Sequence, residues 1–324
     1  MSMTRPSRRD ILSMAVAAPT LLLPATARAQ ALGATAAGNP QHFSFTLGAA
    51  KLTVVSDGWL ETPAAHLGVN VDPRDVARFL QSYFLSVDTN VAHTNHLVIE
   101  IGEAVVLVDA GSGGRFMPTA GKLMGNLAAA GIDPQTITHV VITHAHPDHI
   151  WGVRDATGGA VLPQANHFVS GGEHQFWLQD GLAAGLSDDM KRIAEGAAEA
   201  LQTDGIDWTL LHNDQEVVPG VRIIDTPGHT PGHISVVIES EGKQLIALGD
   251  AINHAYMNFA HPDWVNSFDM NPEATVDTRL RLLDMASRDR MAVLGYHFPF
   301  PGVGHVRKSG DAYQFIPALW QWTG

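Results

Sequence analysis

No cysteine occurs in the 324-residue chain. That absence removes disulfides, thiolate nucleophiles and sulfur-ligated metal centres together. Basic clusters are missing as well: no run of five Lys/Arg appears, and 20 basic residues against 33 acidic ones leave a net charge of −13. Nucleic acids and anionic membranes reward clustered cations, so neither is expected as a partner. No apolar run approaches the roughly 20 residues of a spanning helix. Neither a G-x-S-x-G elbow nor a G-x-x-x-x-G-K-[ST] loop occurs, which leaves serine-hydrolase and P-loop readings without support. Low-complexity tracts and fixed-period repeats are also lacking. What remains, 45% hydrophobic and 16% charged residues, is the composition of an ordinary globular protein.

The N-terminus reads as an address label. Ser7-Arg8-Arg9-Asp10-Ile11-Leu12 is a twin-arginine pattern, the apolar run Ile11 to Leu23 follows, and Ala27-Arg28-Ala29 supplies an A-x-A cleavage site. Residues 1–29 are therefore expected to be a signal peptide directing export to the periplasm or outside the cell. Its removal, with four arginines and one aspartate, takes the net charge from −13 to −16. Residues 30–324 are expected to form a single domain, with 170–210 as a helical insertion near the functional site.

That site is sought first in Thr143-His144-Ala145-His146-Pro147-Asp148-His149, three histidines and a carboxylate directly after the apolar run Val140-Val141-Ile142. A strand ending there would hang a ligand-rich loop from a rigid edge. In extended backbone residues i and i+2 share a face, so His144 and His146 can grip one ion together. Asp148 and His149, beyond the proline, are turned toward a second.

Two ions need further donors, and three other segments end strands in the same manner. Thr226-Pro227-Gly228-His229 closes one in a tight turn. Gly249-Asp250 puts a carboxylate where glycine allows close approach, and Gly295-Tyr296-His297 follows the last buried strand, 291–294. The expected centre holds one ion with His144, His146 and His229, the other with Asp148, His149 and His297, and bridges them with Asp250. Around these segments the pattern predicts strands at 42–47, 52–57, 96–101, 104–109, 138–143, 166–170, 217–226, 234–238 and 244–248. Helices are expected at 73–84, 118–131, 188–203 and 272–287.

The order H-x-H-x-D-H, T-P-G-H, G-D and a late G-x-H resembles the metallo-β-lactamase superfamily. More narrowly, it is similar to the methyl parathion hydrolase branch with its lactonase and arylesterase relatives. The likeness extends through Val55-Ser56-Asp57-Gly58, Leu107-Val108-Asp109-Ala110-Gly111 and Phe176-Trp177 to Phe300-Pro301-Gly302-Val303-Gly304-His305-Val306 and Tyr313-Gln314-Phe315-Ile316-Pro317. It implies an α/β fold, a four-layer αβ/βα sandwich with metals at the sheet edge, and the same seven ligands. Homodimers are usual among such relatives. The sequence departs from lactonases that place a catalytic tyrosine between the segments corresponding to His149 and His229, since Tyr256 lies after Asp250. Asn253, His254 and Tyr256 also stand where methyl parathion hydrolase is apolar.

Chemically, two ions bridged by a carboxylate and a water lower that water's pKa from near 16 toward roughly 7. A hydroxide can then attack an ester, lactone or phosphotriester, with Asp148 as proton acceptor and Asp250 as bridge. Zinc suits this ligand set, as do manganese, iron and cobalt. Phe116, Trp177, His254 and Tyr256 are the candidates for contact with a small-molecule substrate, and Phe298 and Phe300 are further apolar candidates. Asp57, Asp109 and His305 are expected to steady ligand histidines, whereas His139 and His233 are read as structural. Two alternatives share the fold: a mononuclear iron oxidoreductase of the sulfur dioxygenase type, which would not need all of Asp148, His149 and His297, and a β-lactamase.

Overall fold

Alternating apolar residues in His42–Leu47 (β1) and Ala50–Pro63 (β2) make an antiparallel pair turned at Gly48, whose φ of +58° suits glycine. In the computed structural model, which describes residues 39–320, this pair starts a seven-stranded sheet. Thr89–Ile101 (β3) and Ala104–Val108 (β4) continue it antiparallel. His139–Ile142 (β5), Asn166–Ser170 (β6) and Trp208–Leu211 (β7) then add in parallel. A second seven-stranded sheet follows: Glu216–Val218 (β8), Val221–Asp225 (β9), Ile234–Ser240 (β10), Lys243–Ala247 (β11), Ala292–Leu294 (β12), Val303–Ser309 (β13) and Ala312–Pro317 (β14), paired in the order β14 to β8. Only β11 and β12 run parallel there.

Phe43, Leu52, Leu97 and Val106 of the first sheet share one buried cluster with Ile223, Val236, Leu245 and Leu294 of the second, so the sheets pack face to face. Their outer faces are covered by helices. Leu123–Ala129 (α2) and Asp188–Leu201 (α5) lie on the first, and Pro272–Arg288 (α7) covers the second with Leu282 and Leu283. The result is the four-layer αβ/βα sandwich expected above. A satellite cluster joins Val76 and Leu80 of Pro73–Ser82 (α1) to Met257 of the short Met257–Ala260 turn (α6) and to Trp264. Among the described residues no helix is long and apolar enough to cross a membrane. The twin-arginine stretch and its cleavage site lie outside the described residues.

One local expectation needs amending and another gains a role. The helix predicted over 118–131 starts only at Leu123, because the preceding loop wraps the buried Asp57 instead. That carboxylate accepts the backbone N–H groups of Ser112, Gly121 and Leu123 at 3.1, 3.0 and 2.8 Å. Residues 170–210 carry Gly171–Trp177 (α4) and α5, helical as expected and with Met190 and Ile193 beside the site, and they serve as the crossover that parallel pairing of β6 with β7 requires.

Candidate metal centre

All four ligand-bearing segments leave the ends of central strands: β5 for residues 144–149, β9 for His229, β11 for Asp250 and β12 for His297. Pro147–Ile150 (α3) is a single helical turn whose first residue is proline, and it carries Asp148 and His149. Close approach is built into the backbone. Gly249 sits at φ +55°, and a Cβ there would lie 2.7 Å from His233 Nε2.

The structure brings all seven side chains together. His144, His146 and His229 offer donor atoms within 4.8 Å of one another, as do His144, His149 and Asp250, and as do Asp148, His149 and His297. Asp250 faces both sides: its Oδ2 lies 3.0 Å from His297 Nε2 and 3.4 Å from His229 Nε2, and its Oδ1 is 3.3 Å from His149 Nε2. Asp148 Oδ2 is 3.4 Å from His149 Nε2 and 3.5 Å from His297 Nε2.

Electrostatics sorts these groups. Burial, helped by neighbouring imidazoles, drives His144 well below the ordinary histidine range and His146 down to about 3. Both stay neutral, the form that ligates a cation. Burial also pulls on His149 and His297, but Asp148 and Asp250 (with Asp109 for His149) override it and push both imidazoles up. Burial works against the charged forms of Asp148 and Asp250, yet His149 and His297 hold both carboxylates below their usual range, Asp250 well below. Buried carboxylates in such density demand positive charge. Four atoms, His144 Nε2, Asp148 Oδ2, His149 Nε2 and Asp250 Oδ1, are buried without a hydrogen-bond partner, and these are the atoms a cation would satisfy. The donor set therefore fits a divalent metal site.

Other polar groups hold the donors in place. Asp109, at a left-handed φ of +62°, accepts the Thr143 N–H at 2.7 Å and lies 2.8 Å from His149 Nδ1. His297 Nδ1 donates to the His93 carbonyl at 2.7 Å, and His229 Nδ1 faces Asp269 Oδ1 at 3.1 Å. His233 accepts the Asp250 N–H at 3.0 Å. Glu173, fully buried, accepts Ala145 N–H at 2.8 Å with one oxygen and Thr230 Oγ1 at 2.7 Å with the other, joining the loops of His144 and His229. Tyr296 donates to the Asp148 carbonyl at 2.6 Å and stacks on His149 at 3.9 Å.

A cavity of about 360 Å³ opens over His146, Asp148, Asp250 and His297, walled by Leu60, Phe116, Met117, Met190, Ile193 and Phe268. Phe116, an expected substrate contact, forms part of that wall. Trp177 does not line that cavity: it is 2% exposed, and its indole N–H donates to Glu173 at 2.5 Å, so it packs behind the metal loop. His254 and Tyr256 face a second cavity of about 190 Å³, which shares Asn253 and His297 with the first. His254 Nδ1 accepts the N–H groups of Tyr256 and Met257 at 3.2 and 3.1 Å, and Tyr256 stacks on Tyr83 at 5.0 Å. His305 is exposed on β13 and steadies no ligand, whereas Asp57 acts on the 112–123 loop. Glu173, Asp269 and Tyr296 escaped sequence reasoning. Spacing cannot distinguish a buried acid from a solvated one.

A two-sheet sandwich with a His/Asp metal site on its strand ends is one class of protein. Residues 89–297 match the Metallo-beta-lactamase superfamily, and the chain belongs to that family. It is 22% identical over 176 residues to the N-acyl homoserine lactonase AiiA of Bacillus thuringiensis subsp. kurstaki. That match covers 54% of this chain and 62% of AiiA, less than two thirds of the relative's length. Among solved structures, the fold is similar to AidC, a dizinc quorum-quenching lactonase in complex with a product, with a TM-score of 0.82 at 24% identity over 87% of this chain and 100% of that one. It is also similar to the hydrolase AbOPH of the beta lactamase superfamily, with a TM-score of 0.80 at 26% identity over 88% and 100% of the two chains.

Proposed function

We propose that this chain is a metal-dependent hydrolase whose binuclear centre cleaves neutral lactones and esters, with phosphotriesters in its wider range. The observation that carries the reading is Asp250, a single carboxylate within 3.0–3.4 Å of His297, His149 and His229, on the border of both donor groups. The lactonases AiiA and AidC support the lactone end of that range. Two divalent ions held there, zinc in this reading, would lower the pKa of a water toward roughly 7 and polarise the scissile C=O or P=O.

The chain's own residues supply the rest. Asp148 lines the cavity and is placed to take the attacking water's proton and pass it to the leaving group. The wall of Leu60, Phe116, Met117 and Ile193 excludes water and accepts an apolar acyl or aryl group. None of the described residues lining the cavity is Lys or Arg, so a carboxylate or phosphomonoester on the substrate would meet no counter-charge from that wall. That argues for neutral substrates and against a β-lactamase. A mononuclear iron oxidoreductase would not need all of Asp148, His149 and His297, which stand together here. Metal analysis coupled to a kinetic panel of aliphatic lactones, acyl-homoserine lactones, aryl esters and a dimethyl phosphotriester tests the proposal. Two equivalents of metal and chelator-sensitive lactone or ester turnover are expected; one equivalent with no ester turnover overturns it. The N-terminal pattern adds a proposal of location, twin-arginine export, checked by whether the mature chain begins at Gln30.

A further inference from the structure

Arg279, on α7, is completely buried, an expensive position for a guanidinium unless its charge is met. Its Nε donates to the Ala251 carbonyl at 3.3 Å, next to Asp250. Its Nη1 donates to the carbonyls of Pro262 and Trp264 at 2.9 and 2.7 Å. Nη2 lies 3.6 Å from Asp269 Oδ2. Asp269 is equally enclosed and has two further tasks. One oxygen faces His229 Nδ1 at 3.1 Å, and the other accepts the Asn266 N–H at 2.9 Å. Asn266 in turn donates to Asn253, and both line the cavity over the metal centre. One buried ion pair thus touches the segment after Asp250, the far side of the His229 ring and the cavity wall.

The second nitrogen of a ligating imidazole decides which tautomer is present and where the ring points. With Nδ1–H donated to Asp269, His229 is left with a free Nε2, the atom that faces Asp250 and His146. His149 is held separately, by Asp109 on the opposite sheet. We infer that Asp269, anchored by Arg279, is the positioning residue for His229, and that this pair tunes metal occupancy in the half of the centre built from His144, His146 and His229 while leaving the other half alone. The inference rests on the metal-binding reading given above.

The test is chelator competition on the full-length, metal-loaded chain, comparing wild type with Asp269→Asn. An amide keeps the shape of the carboxylate but cannot serve His229 Nδ1–H, the Asn266 N–H and Arg279 at once. His146→Ala and His297→Ala serve as references that identify which equivalent is lost. Asp269→Asn should weaken the equivalent missing in His146→Ala by about 10–100-fold and change the other by less than about 3-fold. Arg279→Lys, which keeps the buried positive charge but cannot serve three carbonyls, should give a smaller loss of the same equivalent. Unchanged affinity for both ions in Asp269→Asn overturns the inference, as does equal weakening of both with a lowered Tm, the mark of a merely structural pair. A wild-type chain that binds no divalent ion overturns the functional reading and this inference together.

Discussion

Among single residues, Asp148 and Asp250 look alike in the sequence and differ in the fold. Asp250 is flanked by three histidines, whereas Asp148 meets two and opens on the cavity. Replacing Asp148 by Asn should lower kcat by about 10²–10⁴-fold, the usual worth of a positioned proton acceptor. Metal content measured alongside separates that loss from a lost ligand, and full retained activity would remove Asp148 from the mechanism. His254 has another role. Burial lowers it to about 4, and its Nδ1 accepts two backbone N–H groups that a proton would displace. The unfolded chain, with histidine near 6.5, binds that proton first, so stability falls as pH drops from about 6.5 toward 4, by about 3 kcal/mol at the lower end. His254→Asn should flatten the slope in urea unfolding across that window; identical slopes would show that other groups carry it. The seven donors were legible because each stands beside a strand-ending motif. His254 was legible only as polar, since what its ring accepts is decided by the α6 turn.

The elements that present the donors succeed through what their termini omit. Gly228 sits at φ +137°, and a Cβ there would lie 2.4 Å from the Thr275 nitrogen at the start of α7. Gly228→Ala must push the His229 turn off that helix. We expect a loss of about 2–3 kcal/mol together with weakened metal retention, read by urea unfolding and chelator competition. Normal values of both would mean that the turn can shift without cost. Strand positions were legible from period-2 alternation and Gly/Pro punctuation at β1 and β2, and from a short apolar run after Pro231-Gly232 at β10. The start of α2 was not. Residues 118–122 read as helix by composition, but Asp57, more than 60 residues away, recruits the same backbone N–H groups. The helices of 170–210 were legible, but not their service as a crossover, because parallel pairing of β6 and β7 leaves no local trace.

For the whole molecule, the buried carboxylates and imidazoles make cation binding part of stability. An ion present at about a thousand times its Kd adds about 4 kcal/mol, and for a chain of this size its removal should lower Tm by about 10 °C. Scanning calorimetry with and without chelator checks this, with recovery on adding zinc; a chelator-independent Tm would show that the centre contributes nothing to folding. The sandwich class was legible only through resemblance. Periodicity gives strands and helices but not which sheet a strand joins, and β13 and β14 stood out as a motif rather than as a hairpin.

The two sheets divide the chain almost cleanly: β1 to β7 come before residue 212, and β8 to β14 come after residue 215. His144, His146, Asp148 and His149 belong to the first half, and His229, Asp250 and His297 to the second. Neither half owns a complete cage. Residues 212–215 between them are exposed, so a protease nick there would leave two peptides still clasped by the apolar face their sheets share, with any ion bound across the seam as a second fastening. Gel filtration of the nicked chain should show one peak with or without metal, and urea should part the two peptides at a lower concentration once the metal is stripped.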